Sequence, residues 1–267
     1  MTKVLKIIDQ IQREVVLKKT PKRIISLVPS QTELLFDLGL EAEIVGITKF
    51  CVHPYHLKST KTIVGGTKTI KIDKIKALSP DIILCNKEEN TKEIVEACEG
   101  VCIVHVSDIF TINDCIELIR QYGVLFNKRT EANKISNKIQ FNLNDFQSFI
   151  KEKPSFKVAY FIWRNPWMAA GNTTFINYLL KLNKFENIYG ELERYPEVDI
   201  NKIQLEGDPE LVLLSSEPYP FKDEHAFEVG RVSHHAKTIF VDGEYFSWYG
   251  SRLVKAFDYF KALRNRL

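Results

Sequence analysis

Apolar residues along this chain change rhythm in blocks, and the blocks read as alternating strands and helices. Ile24, Ile25, Leu27 and Val28 make a β-branched run of buried-strand length, which Pro29 ends by withdrawing a backbone donor. Ser30-Gln31-Thr32-Glu33 then has the form of a capping box, Leu34, Leu35 and Leu38 supply a buried stripe, and Gly39 is placed to stop the helix in a left-handed conformation. A short hairpin, Val4 to Ile8 and Glu14 to Leu17 around Asp9-Gln10, is expected ahead of this unit at the edge of the fold. Beyond it the pattern predicts strands at Glu43 to Ile47, Asp81 to Cys85 and Val101 to Val106. Helices are expected over Ile72 to Leu78, through Ile94 and Ala97 to Gly100, and over Ile112 to Phe126. Strand and helix alternate about every 20 residues, the rhythm of a mostly parallel sheet with ligands at the carboxyl ends of its strands.

The rhythm breaks after Phe126. Ala132, Ile135, Ile139, Leu143, Phe146 and Ile150 fall three or four apart with polar residues between them, which predicts one helix from about Lys128 to Phe149. Such a helix reaches roughly 33 Å, the width of a small domain. A second α/β half follows: a strand over Phe156 to Trp163, the loop Arg164-Asn165-Pro166-Trp167, and a helix over Thr174 to Leu182. A short helix at Asn201 to Leu205, strands at Glu210 to Leu214 and Thr238 to Val241, and a final helix over Ser251 to Leu267 complete it. The fold class expected is α/β, two lobes each with a mostly parallel sheet flanked by helices, joined by one long backbone helix. Its divisions are 1–20, a β extension; 21–127, an N-terminal lobe; 128–153, the connecting helix; and 154–267, a C-terminal lobe.

Composition narrows the class. A formal charge of +3 comes from 37 basic and 34 acidic residues with no long block of one sign, so neither nucleic acid nor an anionic membrane is indicated as a partner. Polar residues interrupt the start of the chain and leave no apolar run for an export signal, and the longest strictly apolar run, Val158 to Trp163, is too short to span a bilayer. The expectation is therefore a cytoplasmic protein as written, periplasmic only if the start is mis-assigned or truncated. Cys51, Cys85, Cys98, Cys102 and Cys115 are odd in number, show no CxxC spacing, and read as buried reduced thiols.

Candidate chemistry is sparse. Cys51 and His53-Pro54-Tyr55-His56 are the one stretch that invites a metal, with His53 as the ligand put forward, and further ligands would have to come from His105, His225, His234 or His235. No GxSxG, GxxxxGK[ST], HExxH or GxGxxG is present, and Glu88-Glu89 reads as a solvated pair. The expectation is not an enzyme.

Three strings carry a resemblance: KRIISLVPSQTELLFDLG from Lys22, GGTKTIKIDKIKALSPDIIL from Gly65 and DGEYFSWYGSRLVKA from Asp242. In order and spacing the chain resembles the substrate-binding proteins of the ABC importers for cobalamin, iron-siderophores and haem, of the helical-backbone type, with the cobalamin binders nearest. The resemblance implies a flat metal chelate, cobalamin or an iron-siderophore or haem-like ligand, held in the cleft between two lobes. It carries ligand contacts onto Phe50, Thr67, Asn86, Trp163, Arg164, Trp167, Tyr195, Tyr245, Phe246, Trp248 and Arg252, where Thr67 and Asn86 replace tryptophans. It implies stacking by the aromatic residues, orientation by Arg164 and Arg252, no required cofactor and a monomer. It also implies docking to a membrane permease through an acid at the tip of each lobe; Asp73 stands at the first tip, and Asn201 replaces the acid at the second. Two alternatives stay open: a protein-only metal-ion binder using His53, and a cytoplasmic corrinoid or iron-chelate enzyme or chaperone on the same fold.

Overall fold

The structure, a computed structural model, describes residues 4–267, so the first three positions of the expected β extension lie outside the described residues. The chain divides into two units: one runs to Gln140 and takes in Tyr249–Val254, and the other comprises Phe141–Trp248 and Lys255–Leu267.

The first unit opens with β1 (Leu5–Ile8) and β2 (Glu14–Leu17), paired antiparallel. Next come β3 (Ile24–Ser26), α1 (Pro29–Asp37), β4 (Ile44–Ile47), α2 (Leu57–Thr60), β5 (Thr62–Ile63) and α3 (Ile72–Ala77). β6 (Ile82–Asn86), α4 (Lys92–Glu99), β7 (Ile103–Ser107) and α5 (Ile112–Leu125) finish the succession. The five strands β3 to β7 form one sheet in the order β5-β4-β3-β6-β7, parallel throughout. Parallel strands with helical crossovers are buried on both faces, and Ile82, Ile83, Leu84 and Cys85 of β6 are accordingly all fully buried.

β7 is an edge strand, and the hairpin covers it. Asp9, at the turn, is buried; its carboxylate accepts the amides of Ile11 (3.1 Å), Arg13 (2.9 Å) and Val106 (3.1 Å), and the Arg13 guanidinium donates to the Val104 carbonyl (3.2 Å). Backbone groups that an open edge would offer to another chain are thus taken up internally.

The expected capping box does not form. Proline's fixed φ suits the first helical position, so α1 begins at Pro29, its cap is Val28, and no side chain caps it. Thr32 bonds back to the Val28 carbonyl (3.0 Å), and Glu33 is drawn away to Arg252. Gly39 does stop the helix, at φ +72°.

α6 (Arg129–Ile150) is the long helix, 22 residues, with Ala132, Ile139, Leu143, Phe146 and Ile150 buried; it runs from the first unit into the second. The second unit continues with β8 (Phe156–Trp163), β9 (Met168–Ala169), α7 (Phe175–Leu182), β10 (Phe185–Asn187) and α8 (Ile203–Glu206), the last preceded by a 3-10 turn at Ile200–Lys202. β11 (Leu211–Ser215), α9 (Asp223–Val232), β12 (Lys237–Val241), α10 (Gly243–Ser247) and α11 (Leu253–Asn265) follow. Its sheet order is β10-β8-β11-β12, parallel, with β9 antiparallel against β8. The fold is α/β with two mostly parallel sheets and one long helix linking the units in sequence. Helices α9 and α10 have no counterpart among the elements that the hydrophobic pattern predicts.

Candidate functional site

In each unit the parallel strands end on the same side, so the loops that follow them gather there. In the first unit these are Leu27–Pro29 after β3, Thr48–Phe50 after β4, Val64–Thr67 after β5, Lys87–Asn90 after β6 and Asp108 after β7. Phe50, Thr67 and Asn86 therefore share one end of one sheet.

They do different work there. Phe50 is 48% exposed, and Gly66 leaves room for its ring: a Cβ on that glycine would stand 3.1 Å from Phe50 Cε2. The Lys49 ammonium lies 4.9 Å from the centre of the Phe50 ring. Asn86 is buried, and both ends of its side chain are engaged. Its Nδ2 donates to the Ser107 carbonyl (3.2 Å) and hydroxyl (3.0 Å), and its Oδ1 accepts the amides of Glu88 (2.9 Å) and Glu89 (3.1 Å). Asn90 completes the frame, accepting the Asn86 amide (2.9 Å) and donating to the Thr67 carbonyl (2.9 Å). Asn86 thus shapes the loop that carries Glu89. Glu88 and Glu89 are half-buried rather than solvated. Burial, and then Glu88 beside it, push the Glu89 carboxyl up, against the pull of Lys68 and the Thr67 hydroxyl.

Beneath these loops the Gln31 amide donates to the Ser107 hydroxyl (2.7 Å) and the Tyr249 hydroxyl (3.0 Å), and its carbonyl accepts from Tyr122 (2.7 Å). Arg252 forks onto Glu33 with two bonds of 2.8 and 2.9 Å. Burial raises the Glu33 carboxyl more than Arg252 lowers it.

The carboxyl end of the second unit's sheet is aromatic. Trp163, the last residue of β8, is 39% exposed and meets the Tyr219 ring edge-on at 5.5 Å. Trp167 is 6% exposed, stacks on Phe221 at 5.5 Å and 18°, and belongs to the core with Phe161 and Val229. Arg164 holds Glu228 by two bonds of 2.8 Å, and the Trp167 indole N–H reaches the same carboxylate at 3.3 Å. Burial pushes the Glu228 carboxyl up, but the bonds from Arg164 and Trp167 outweigh it, and the net shift is downward. Both arginines expected to orient a ligand are thus committed to carboxylates. Phe246 is fully buried against Tyr160 and Phe260, Tyr245 stacks on Tyr259 at 4.7 Å, Trp248 is buried, and Tyr195 is half-buried.

Asp73 is exposed in the first turn of α3, and Asn201 is exposed with its amide on the Asp199 carboxylate (2.9 Å). His53 is half-buried near Glu33. His105 is bonded to Gln121 (2.8 Å), His225 to Tyr219 (3.0 Å) and His235 to Asp208 (3.0 Å), each in a different place. Among the described residues no three His, Cys, Asp or Glu side chains group as a metal site, and no helix is long and apolar enough to cross a membrane. A depression of about 350 Å3 lies along the edge strand β10, lined by Ser155, Lys184, Phe185, Asn187 and Glu191.

The sequence did not single out Tyr219, Phe221 or Glu228, and it offered His225 only as a possible metal ligand. The signal for the first two was the alternation Pro218-Tyr219-Pro220-Phe221, which belongs to no regular element.

Residues 24–231 match the model of the family described as periplasmic binding protein. The chain is 25% identical, over 67% of its length, to the ABC transporter substrate-binding lipoprotein YvrC of Bacillus subtilis, and it spans 59% of that protein. It is 23% identical to the vitamin B12-binding protein of Pectobacterium carotovorum, covering 88% of this chain and 86% of the relative. The fold superposes on the periplasmic heme-binding protein RhuT from Roseiflexus with a TM-score of 0.79 at 15% identity, covering 91% of this chain and 98% of that one. The expectation of a cytoplasmic location is overturned: the Bacillus subtilis relative is a lipoprotein and the family matched is that of periplasmic binding proteins, both of which work outside the cytoplasm. With more than half of its residues matched, the chain belongs to the periplasmic binding protein family.

Proposed function

We propose that this chain is an extracytoplasmic substrate-binding protein of an ABC importer, and that it binds a flat metal chelate, cobalamin or haem, on the loops at the carboxyl ends of its strands. The observation that carries the reading is the pair of half-exposed aromatic rings at the carboxyl ends of strands, Phe50 at 48% on the loop after β4 and Trp163 at 39% as the last residue of β8. A conjugated macrocycle stacked on such a ring gains about 0.5–1.5 kcal/mol beyond the burial of apolar area, itself worth about 25 cal/mol per Å2. Asn86, Arg164 and Arg252 act as framework, fixing loops so that little side-chain order is lost on binding. Asp73 is the acid we assign to the importer's membrane subunit; at the second tip Asp199, which holds Asn201, is the acid at hand.

Isothermal titration with cyanocobalamin, hemin and a ferric siderophore tests this. One-to-one binding of one chelate, weakened by Phe50→Ala, is the expected result. No binding of any of the three, with zinc taken up instead, would overturn it.

A further inference from the structure

Among the described residues the Tyr219 hydroxyl has one partner, His225 Nε2 at 3.0 Å. Which of the two donates follows from the other side of the imidazole. The backbone amide of Lys222 points its hydrogen at His225 Nδ1, 2.9 Å away, and an amide can only donate. The Lys222 carbonyl, 3.2 Å from the same nitrogen, already accepts the His225 amide at 2.9 Å. Nδ1 is therefore an acceptor, and in the neutral ring the proton sits on Nε2. His225 donates to Tyr219, and the tyrosine's own proton is directed elsewhere.

We infer that Tyr219 is the hydrogen-bond donor of the second unit's loops to the ligand, reading an acceptor oxygen on the rim of a flat chelate that lies on Trp163. This rests on the function proposed above and adds the chemistry that the rim must carry: a carboxylate or carboxamide oxygen. The placement is built into the fold. Tyr219 follows β11 and Trp163 ends β8, the neighbouring parallel strand, with the two rings 5.5 Å apart. Phe221 and His225 pack edge-on against the Tyr219 ring at 4.9 and 5.3 Å and fix its tilt. His225 is buried, while Tyr219 is half-buried and reaches solvent. A phenol held this way keeps its direction when the ligand arrives, and its proton replaces a bond to water with a bond to the rim.

The test compares full-length wild type and Tyr219→Phe by titration with cyanocobalamin, whose rim carries carboxamides, and with hemin, whose rim carries carboxylates. The variant is expected to bind the chelate about tenfold more weakly with an unchanged thermal midpoint, and the loss is larger where the acceptor is a carboxylate. His225→Asn keeps an acceptor for the Lys222 amide but does not reach Tyr219, so it is expected to weaken binding by a smaller factor. Unchanged affinity in Tyr219→Phe, with wild type binding the chelate, would overturn this inference and leave the proposed function standing. Failure of wild type to bind any chelate would overturn both.

Discussion

Arg252 and Glu33 stand 219 positions apart in sequence and are joined by a two-pronged bond, Nε to Oε2 at 2.8 Å and Nη2 to Oε1 at 2.9 Å. Their side chains are 9% and 13% exposed, and the pair fastens the returning segment Tyr249–Val254 into the first unit.

Arg252→Ala would leave a carboxylate buried without its counter-ion, a loss of about 3–5 kcal/mol at neutral pH. Burial already raises the Glu33 carboxyl, and removing Arg252 raises it further. A group raised on folding stabilises below its unfolded pKa and loses that contribution as pH rises. The variant's deficit in urea unfolding is therefore expected to shrink towards about pH 4. A deficit that stays constant with pH would speak against an uncompensated carboxylate.

Trp167 and Trp163 should separate cleanly. Trp167→Ala empties a site in the core beside Phe161 and Phe221 and is expected to cost about 3–5 kcal/mol. Trp163→Ala removes a half-exposed ring with one edge contact to Tyr219, on the order of 1 kcal/mol, and is expected to show its effect in chelate affinity instead. Thermal unfolding and titration of both variants give the comparison.

Glu228 gives an acid-side signature. Its carboxyl is lowered on balance, so its contribution is present above the unfolded pKa and is lost as pH falls through the folded one. Tryptophan emission, reporting on Trp163 and Trp167, is expected to shift below about pH 4 in wild type. Glu228→Gln should lack that step.

Asp9→Ala strips the hairpin turn of its acceptor and leaves the Val106 amide without the carboxylate that now receives it. The expected cost is about 3 kcal/mol. Hydrogen exchange at Val106 should accelerate in the variant more than at Leu84, on the interior strand β6.

Periodicity revealed most of the elements. Ala132, Ile139, Leu143, Phe146 and Ile150 mark α6 to within a residue at either end, because one side of a long helix must be apolar whatever it packs on. Ser30 to Glu33 misled, because a local motif competes with a distant partner, and Arg252 lies beyond any window that weighs spacing. The site was legible as aromatic residues at loop positions. What each ring does was not: Phe50 and Trp167 have the same kind of sequence surroundings, and only the fold leaves one open and encloses the other. Tyr219 and Phe221 escaped notice because proline at every second position keeps their segment out of any helix or strand, so its alternation marks no element.

The return of Tyr249–Val254 has a consequence for how the protein comes into being. Gln31 waits for the Tyr249 hydroxyl, Cys115 for the Gly250 amide, and Glu33 for Arg252. A chain emerging from its amino end builds the first sheet early, yet it cannot close that unit until the second unit's strands and the segment Tyr249–Val254 have been made. The part synthesised first is among the last to be completed, and a chain cut short before Tyr249 would lose stability in the half that it still contains.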